Sequence, residues 1–275
     1  MAIHWMHKLI YIILLVVFIW ACGIENNDKS TSAKNKLPFL EDTLQFSYVD
    51  FNEISPYFAL HNDTIDTAFY SIRYPQFSIQ KYNDLLKPHI LIEGENTAQD
   101  AADNFIMGYN EFVEDEATRQ LHFAWYRKIE CLITINTPLF FSMKNKLSEY
   151  TGGAHGNNYV FWSNFDILKA EKIELTDVLA ENKQEELTKI AERYFIEVES
   201  IQDTTSLDSS YFFEGGKFKL NDNFGFTENH LVFYYNEYEI KPYSEGTTEV
   251  RIPYEKIHGL LNIRGKQYIE SIKKN

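Results

Sequence analysis

The residues of this 275-residue chain best suited to chemistry lie in one short stretch, Tyr150-Thr151-Gly152-Gly153-Ala154-His155-Gly156-Asn157. Three glycines in five residues permit positive φ and close backbone approach, so the stretch reads as a tight, shaped loop between two strand patterns. His155 has the residue type of a general base or a metal ligand. The same imidazole equally suits a plainer role, fixing the turn through hydrogen bonds. Exposed loop amides bind anions, but no Lys or Arg lies within the stretch, and the phosphate-loop ending in Lys-Ser/Thr is absent.

Other chemistry finds little support. The chain has no His-Glu-x-x-His, no His-x-His and no pair of cysteines at ligand spacing, so no metal site and no cofactor is expected. Gly-x-Ser-x-Gly is missing as well. Forty Asp and Glu residues make acidic pairs inevitable by chance. A hydrolase that sets His155 beside an acid such as Asp166 stays open as a minor reading, but the expectation is that no residue is catalytic. Cys131 alternates with Ile129, Ile133 and Ile135 and reads as a small buried hydrophobe.

The elements around the loop interleave. Tyr70–Pro75 reads as a strand, and Thr97–Glu116 as a helix with a 3.6-residue apolar period and a capping-box start at Thr97 and Asp100. Leu121–Asn136 and Pro138–Tyr150 alternate as antiparallel strands, followed by strands at Asn158–Asp166 and Lys172–Leu175 around a turn near Ala170. A second helix is predicted over Lys183–Ser200, capped by Asn182 and Glu185. Strands at Phe218–Leu220, His230–Asn236 and Thr247–Ile252 follow, then a short helix from Tyr254 after Pro253. Hairpins outnumber βαβ patterns, so the predicted class is α+β, two sheet-and-helix units with mainly antiparallel strands. The expected division is 41–165 and 166–275.

Composition narrows the function. With 44% hydrophobic residues, 21 Phe and 18 Tyr, the chain is no disordered polypeptide. Its net charge of −14 argues against a nucleic-acid partner, which needs a basic surface. Residues 9–20, LIYIILLVVFIW, form an apolar run too short for a bilayer core that takes roughly 20 residues. With Lys8 before it, this is the pattern of a secretory signal over residues 1–21. The following Ile19-Trp20-Ala21-Cys22-Gly23 resembles the lipobox of bacterial lipoproteins, which implies lipidation of Cys22 and attachment to the cell envelope, with the outer membrane as the expected destination. An uncleaved anchor helix extended through Ile24 is the alternative. Residues 22–40 are polar and aperiodic and read as a tether. Cleavage removes one Lys and no acid, leaving 25 basic against 40 acidic residues, or −15.

The Tyr-x-Gly-Gly-Ala-His-Gly-Asn stretch, Asn164-Phe165-Asp166 and Ile173–Leu179 together resemble two linked bacterial domains of unknown function, families 4163 and 3298. Further on, Phe224–Thr227, Leu231–Tyr235, Tyr238-Glu239-Ile240-Lys241-Pro242-Tyr243 and Val250–Tyr254 carry the resemblance, which spans about residues 65–262. Members of these families include the lysozyme-binding ectodomain of the RsiV-type anti-sigma factor and an accessory region of a peptidoglycan deacetylase. The resemblance therefore implies a non-catalytic envelope binding module. Only eight residues precede the apolar run, so direct control of a sigma factor is not expected.

Charge supplies an independent clue about the partner. Glu93–Glu116 contains eight acids and no Lys or Arg. Glu111, Glu114, Asp115 and Glu116 sit near the helix C-terminus, where the macrodipole disfavours them. They form a candidate contact face for a basic envelope-directed protein such as lysozyme. The competing readings are a solvated face balanced by neighbours in the fold, and a glycan or peptidoglycan-fragment module stacking sugars on Tyr211-Phe212-Phe213, a triplet that equally suits sealing one end of a sheet.

Overall fold

The computed structural model describes residues 42–61, 64–115, 123–202, 207 and 210–274. The expected signal segment, Cys22, the tether and Glu116 lie outside the described residues. A hairpin of β1 (Phe46–His61) and β2 (Thr64–Phe77) leads into α1 (Gln80–Ile90) and α2 (Ala98–Glu114). Then come β3 (Tyr126–Asn136), β4 (Phe140–Tyr150), β5 (Asn157–Asp166) and the two-residue β6 (Glu171–Lys172). These six strands make one sheet in sequence order, antiparallel at every step except the parallel β2–β3 pair. The chain continues through α3 (Leu175–Val178) and α4 (Gln184–Val198) to β7 (Phe224–Phe226), β8 (His230–Tyr235) and β9 (Thr248–Pro253). Those three form a second, wholly antiparallel sheet, followed by α5 (Tyr254–Ile257) and α6 (Ile263–Lys273). The class is α+β, two sheets each carrying helices, as the segment pattern predicts.

Local chemistry explains the elements that position the candidate site. Thr97 Oγ1 accepts from the Asp100 amide at 3.0 Å and Asp100 Oδ2 accepts from the Thr97 amide at 3.1 Å, the expected capping box at the start of α2. Ala101, Ala102, Phe105, Ile106 and Tyr109 bury one face of that helix. Burying Tyr82, Leu86 and Ile90 at four-residue spacing turns α1 into the same layer. On β4, neighbouring residues point to opposite faces. Phe141 therefore enters the core under α1 and α2, while Phe140 enters the core shared with the second sheet.

Several expected features differ. The segment before α2 holds a long hairpin and a further helix, and the α1–α2 crossover makes β2 and β3 parallel, because a connection over one face returns the chain in the same direction. The N-cap of α4 is Lys183, without a side-chain cap, and Asn182 instead takes a turn conformation at φ 60°. Phe218–Leu220 is no strand, although Phe218 and Leu220 are buried in the core. Only Glu171–Lys172 pairs beyond β5, and Leu175 opens α3.

Two joints bind the sheets. The outer edge of β5 is closed by side-chain amides: Asn223 Oδ1 accepts from the Trp162 amide at 2.8 Å and Asn236 Oδ1 from the Val160 amide at 2.7 Å. Val160 O in turn accepts from Asn223 Nδ2 at 2.8 Å. At the end of β5, Asp166 is 2% exposed and takes Arg264 Nη2 at 2.6 Å, Tyr268 OH at 2.6 Å and the amides of Leu168 and Lys169 at 2.8 and 3.0 Å.

Burial alone would raise the Asp166 carboxyl, but the Tyr268 hydroxyl, the Lys169 amide and Arg264 together hold it below the usual carboxylate range. A depressed native pKa contributes stability that is present above the unfolded value of about 3.9 and lost as pH falls through the native value. Asp166→Asn should therefore lower stability at pH 7 by about 3 kcal/mol, chiefly because it leaves Arg264 without its counter-charge. Its deficit relative to the parent should narrow below about pH 4. Denaturant titrations at pH 7 and pH 3 measure both effects, and equal stability at pH 7 would remove Asp166 as a joint.

Candidate functional site

The glycine loop leaves the six-stranded sheet at the end of β4 and re-enters it at Asn157, which pairs with Glu149. Gly152 and Gly153 take positive φ, 109° and 93°. Gly156 does not; it is glycine because a Cβ there would stand 2.8 Å from the Glu149 carbonyl oxygen and 3.0 Å from the Tyr126 hydroxyl. Gly152 meets both constraints, since its Cβ would also lie 2.5 Å from the Phe123 ring. Tyr150 OH donates to Gly153 O at 3.1 Å and closes the turn.

His155 lies against the second sheet's end. Its ring stacks on Tyr243 with centroids 3.8 Å apart and planes 16° apart. Since a carbonyl only accepts, Nδ1–H donates to Gly156 O at 2.9 Å, and Nε2 faces Tyr238 OH at 3.4 Å. Tyr243 OH also donates to Gly156 O, at 3.3 Å. This is the turn-fixing arrangement. Asp166, the suggested acid of a hydrolase pair, sits at the opposite end of β5 from Asn157. Nine residue steps of extended chain are about 30 Å, so the two do not form one site.

The acidic run divides into two groups. Glu93 bonds Arg127 at 2.8 Å, which also pairs with Glu149, so this acid is balanced by the fold. Asp100 belongs to the capping box. Glu111, Glu114 and Asp115 stay exposed at the end of α2, whose last turn contains no basic residue. Glu114 accepts from the Tyr57 hydroxyl, which raises the pKa of that phenol.

The structure brings this acidic end and the glycine loop to the same end of the sheet. Phe112 of α2 meets Phe123 at 5.5 Å, Phe123 meets Tyr150 at 5.7 Å, and Tyr150 stacks on Tyr126 at 6.1 Å between centroids. Tyr126 in turn stacks on Phe69 of β2 at 5.9 Å. Sequence reasoning missed the partners of His155, Tyr238 and Tyr243, because their strand-to-strand distance from it is invisible without the joint between sheets. Of the two readings of Tyr211-Phe212-Phe213, packing describes two of the three residues: Phe213 is buried against Phe195 and Phe218, Tyr211 donates to Glu199, and Phe212 alone of the triplet is exposed. Cys131 is fully buried, which pushes its thiol up to about 12. Among the described residues, no three His, Cys, Asp or Glu side chains are grouped to hold a metal ion.

The architecture is that of a two-sheet α+β module with a closed glycine loop packed by aromatic rings from both sheets. Residues 61–158 match the family model described as deacetylase PdaC, and residues 168–255 match the protein of unknown function family DUF3298. Each match covers about a third of the chain, the PdaC-like stretch preceding the DUF3298-like one. A solved DUF3298 family member from Bacteroides fragilis superposes with a TM-score of 0.65 at 23% identity, covering 84% of this chain and 98% of that one. A DUF3298 family protein from Pseudomonas aeruginosa gives 0.55 at 16% identity, covering 81% and 96%. At these identities the likeness establishes the fold. No curated protein matches the chain.

The loop geometry sets an order of sensitivity. Gly152→Ala meets both a left-handed backbone and the Phe123 ring, whereas Gly153→Ala meets open space and the backbone term alone. The first should cost about 2–3 kcal/mol and the second about 1 kcal/mol, measured by denaturant unfolding. Equal losses would mean that Phe123 yields freely.

Proposed function

We propose that this chain is a non-catalytic binding module of the bacterial envelope, anchored by lipid at Cys22. Its partner is a cationic envelope-directed protein of the lysozyme type. One observation carries the reading: Glu111, Glu114 and Asp115 share an end of the molecule with the linked rings of Phe112, Phe123, Tyr150 and Tyr126. Carboxylates attract Lys and Arg at long range, and ring faces receive the same cations at contact through their quadrupoles. Helix stability does not explain the acids, since three at the C-terminus oppose the macrodipole. The groups that could have argued for catalysis have other engagements: both nitrogens of His155 face groups that fix the loop, and Asp166 is buried in a structural cluster.

Neutralising Glu111, Glu114, Asp115 and Glu116 to their amides should slow association with lysozyme about tenfold and change dissociation much less. Binding of the parent should weaken between low salt and 0.15 M, where the Debye length is about 8 Å. Biosensor kinetics at two ionic strengths test this. No complex with any muramidase, or one indifferent to salt and to these acids, sinks the reading. For the anchor, Cys22→Ser should block processing and leave a species roughly 2 kDa heavier on a mass spectrum, the weight of a 21-residue signal. Normal processing of that variant would remove the lipid anchor.

A further inference from the structure

A second concave surface lies away from the glycine loop, where α1, the outer edge of β5 beyond β6, and the segment entering β7 converge. The cleft holds about 410 Å³ and is lined by His89, Phe161, Trp162, Ser163, Lys172 and Asp222, with Ile92 at its rim. That volume falls within the range of small-ligand pockets. Its floor is fixed. Trp162 is 6% exposed and packs so closely on Gly225 that a Cβ there would sit 1.9 Å from the indole, and the Asn223 amide is bonded to β5 on both its oxygen and nitrogen. Its wall is unusually apolar for an open surface, with Phe161 41% and Ile92 46% exposed.

The polar groups around that wall decide what would fit. Lys172 is already neutralised by Glu174 at 3.0 Å, and Asp222 adds a second carboxylate, so the cleft has no surplus positive charge for an anion. His89 sits with Nδ1 3.4 Å from the Ser163 hydroxyl, and burial, followed by the nearby Lys172, lowers its pKa. Near neutral pH it is therefore an uncharged ring with one donor and one acceptor. An aromatic face flanked by donors and acceptors, with one carboxylate left over and no unpaired lysine in the lining, matches an uncharged ligand that is apolar on one face and carries hydroxyl donors at its rim. We propose that this cleft binds a neutral saccharide, with one ring stacked on Phe161 and its hydroxyls shared between Asp222 and His89.

The test is titration of the full chain with chitotriose and with cellotriose, followed by calorimetry and by the indole N–H resonance of Trp162, assigned through Trp162→Phe. At least one of the two sugars should bind and shift that resonance, with an affinity unchanged between 0.05 and 0.5 M salt. Phe161→Ala, at a partly exposed position that the fold tolerates, should raise Kd roughly tenfold, or about 1.4 kcal/mol. Asp222→Asn should raise it about threefold. The proposal is overturned if neither sugar binds, if Phe161→Ala leaves the affinity unchanged, or if binding is lost at high salt. Because Phe161 is remote from the α2 acids, the same variant should keep its muramidase binding, so the two readings fail separately.

Discussion

The whole arrangement depends on how the outer edge of β5 is satisfied. A strand edge with unpaired amides and carbonyls is costly when buried and adhesive when exposed. Here β6 covers only Phe165 and Asp166, and beyond it the amides of Asn223 and Asn236 take over, each bonding β5 through oxygen and nitrogen. A side-chain amide has the donor and acceptor of a backbone unit, so two asparagines stand in for a missing strand. Because Asn223 precedes β7 and Asn236 follows β8, this closure also sets where the second sheet stands. Asn236 opens the turn that delivers Tyr238 and Tyr243 to His155, its amide bonded to Glu239 Oε2 at 2.8 Å. Asn223 adjoins Asp222 and Trp162 in the cleft.

Two inward carboxylates complete the frame. Asp166 ties β5 to α6, and Glu199 does the same for the second half, taking Lys241 Nζ at 2.7 and 2.8 Å, Tyr211 OH at 3.0 Å and the Thr248 hydroxyl. In both, burial opposes ionisation and the surrounding donors more than reverse it, so the carboxyls sit below their ordinary range. Groups held ionised this firmly are poor proton carriers near neutral pH, where a general acid or base needs a pKa close to the working pH. They suit a scaffold. The Lys241 of the Tyr238–Tyr243 corner, only 5% exposed, is thereby a structural cation rather than a surface one.

Legibility from sequence followed the range of the interaction. The α2 cap, the β3–β4 and β4–β5 hairpins and the glycine turn are set by residues within a few positions of one another, and all were readable. So was the fold class. Of the β1–β2 hairpin only Tyr70–Pro75, inside β2, was legible: Pro56 interrupts the pattern of β1, and a bulge shifts the register between Ile54 and Phe58. Nor was α1 legible, whose three buried residues are spaced among polar ones and whose last turn holds Pro88. The candidate site divided in the same way. His155 and its glycines were visible as a motif, while its partners 83 and 88 positions later were visible only as separate motifs. The acids of α2 were legible as a run, but the run alone could not show that Glu93 is spent on Arg127, that Asp100 caps the helix and that Glu111, Glu114 and Asp115 stand exposed at its end.

The burial of the two central strands decides where surface is left on the first sheet. In β4 the first four residues, Phe140–Met143, are all buried, and in β5 the last five, Trp162–Asp166, are buried too. Alternation sends neighbours to opposite faces, so consecutive burial means that both faces are covered, one by α1 and α2 and the other by the second sheet. That half of the strands offers a ligand little beyond Trp162 and Ser163 at the floor of the cleft. Toward Tyr150 and Asn157 the pattern relaxes to partly exposed residues, and the two layers part around the strand ends and the outer edge of β5. The end carries the glycine loop with its rings and the α2 acids; the edge carries Phe161 and the cleft. On a scaffold buried on both faces, these are places that can vary without disturbing a core, and exposed Phe161 and the exposed acids Glu111, Glu114 and Asp115 stand there.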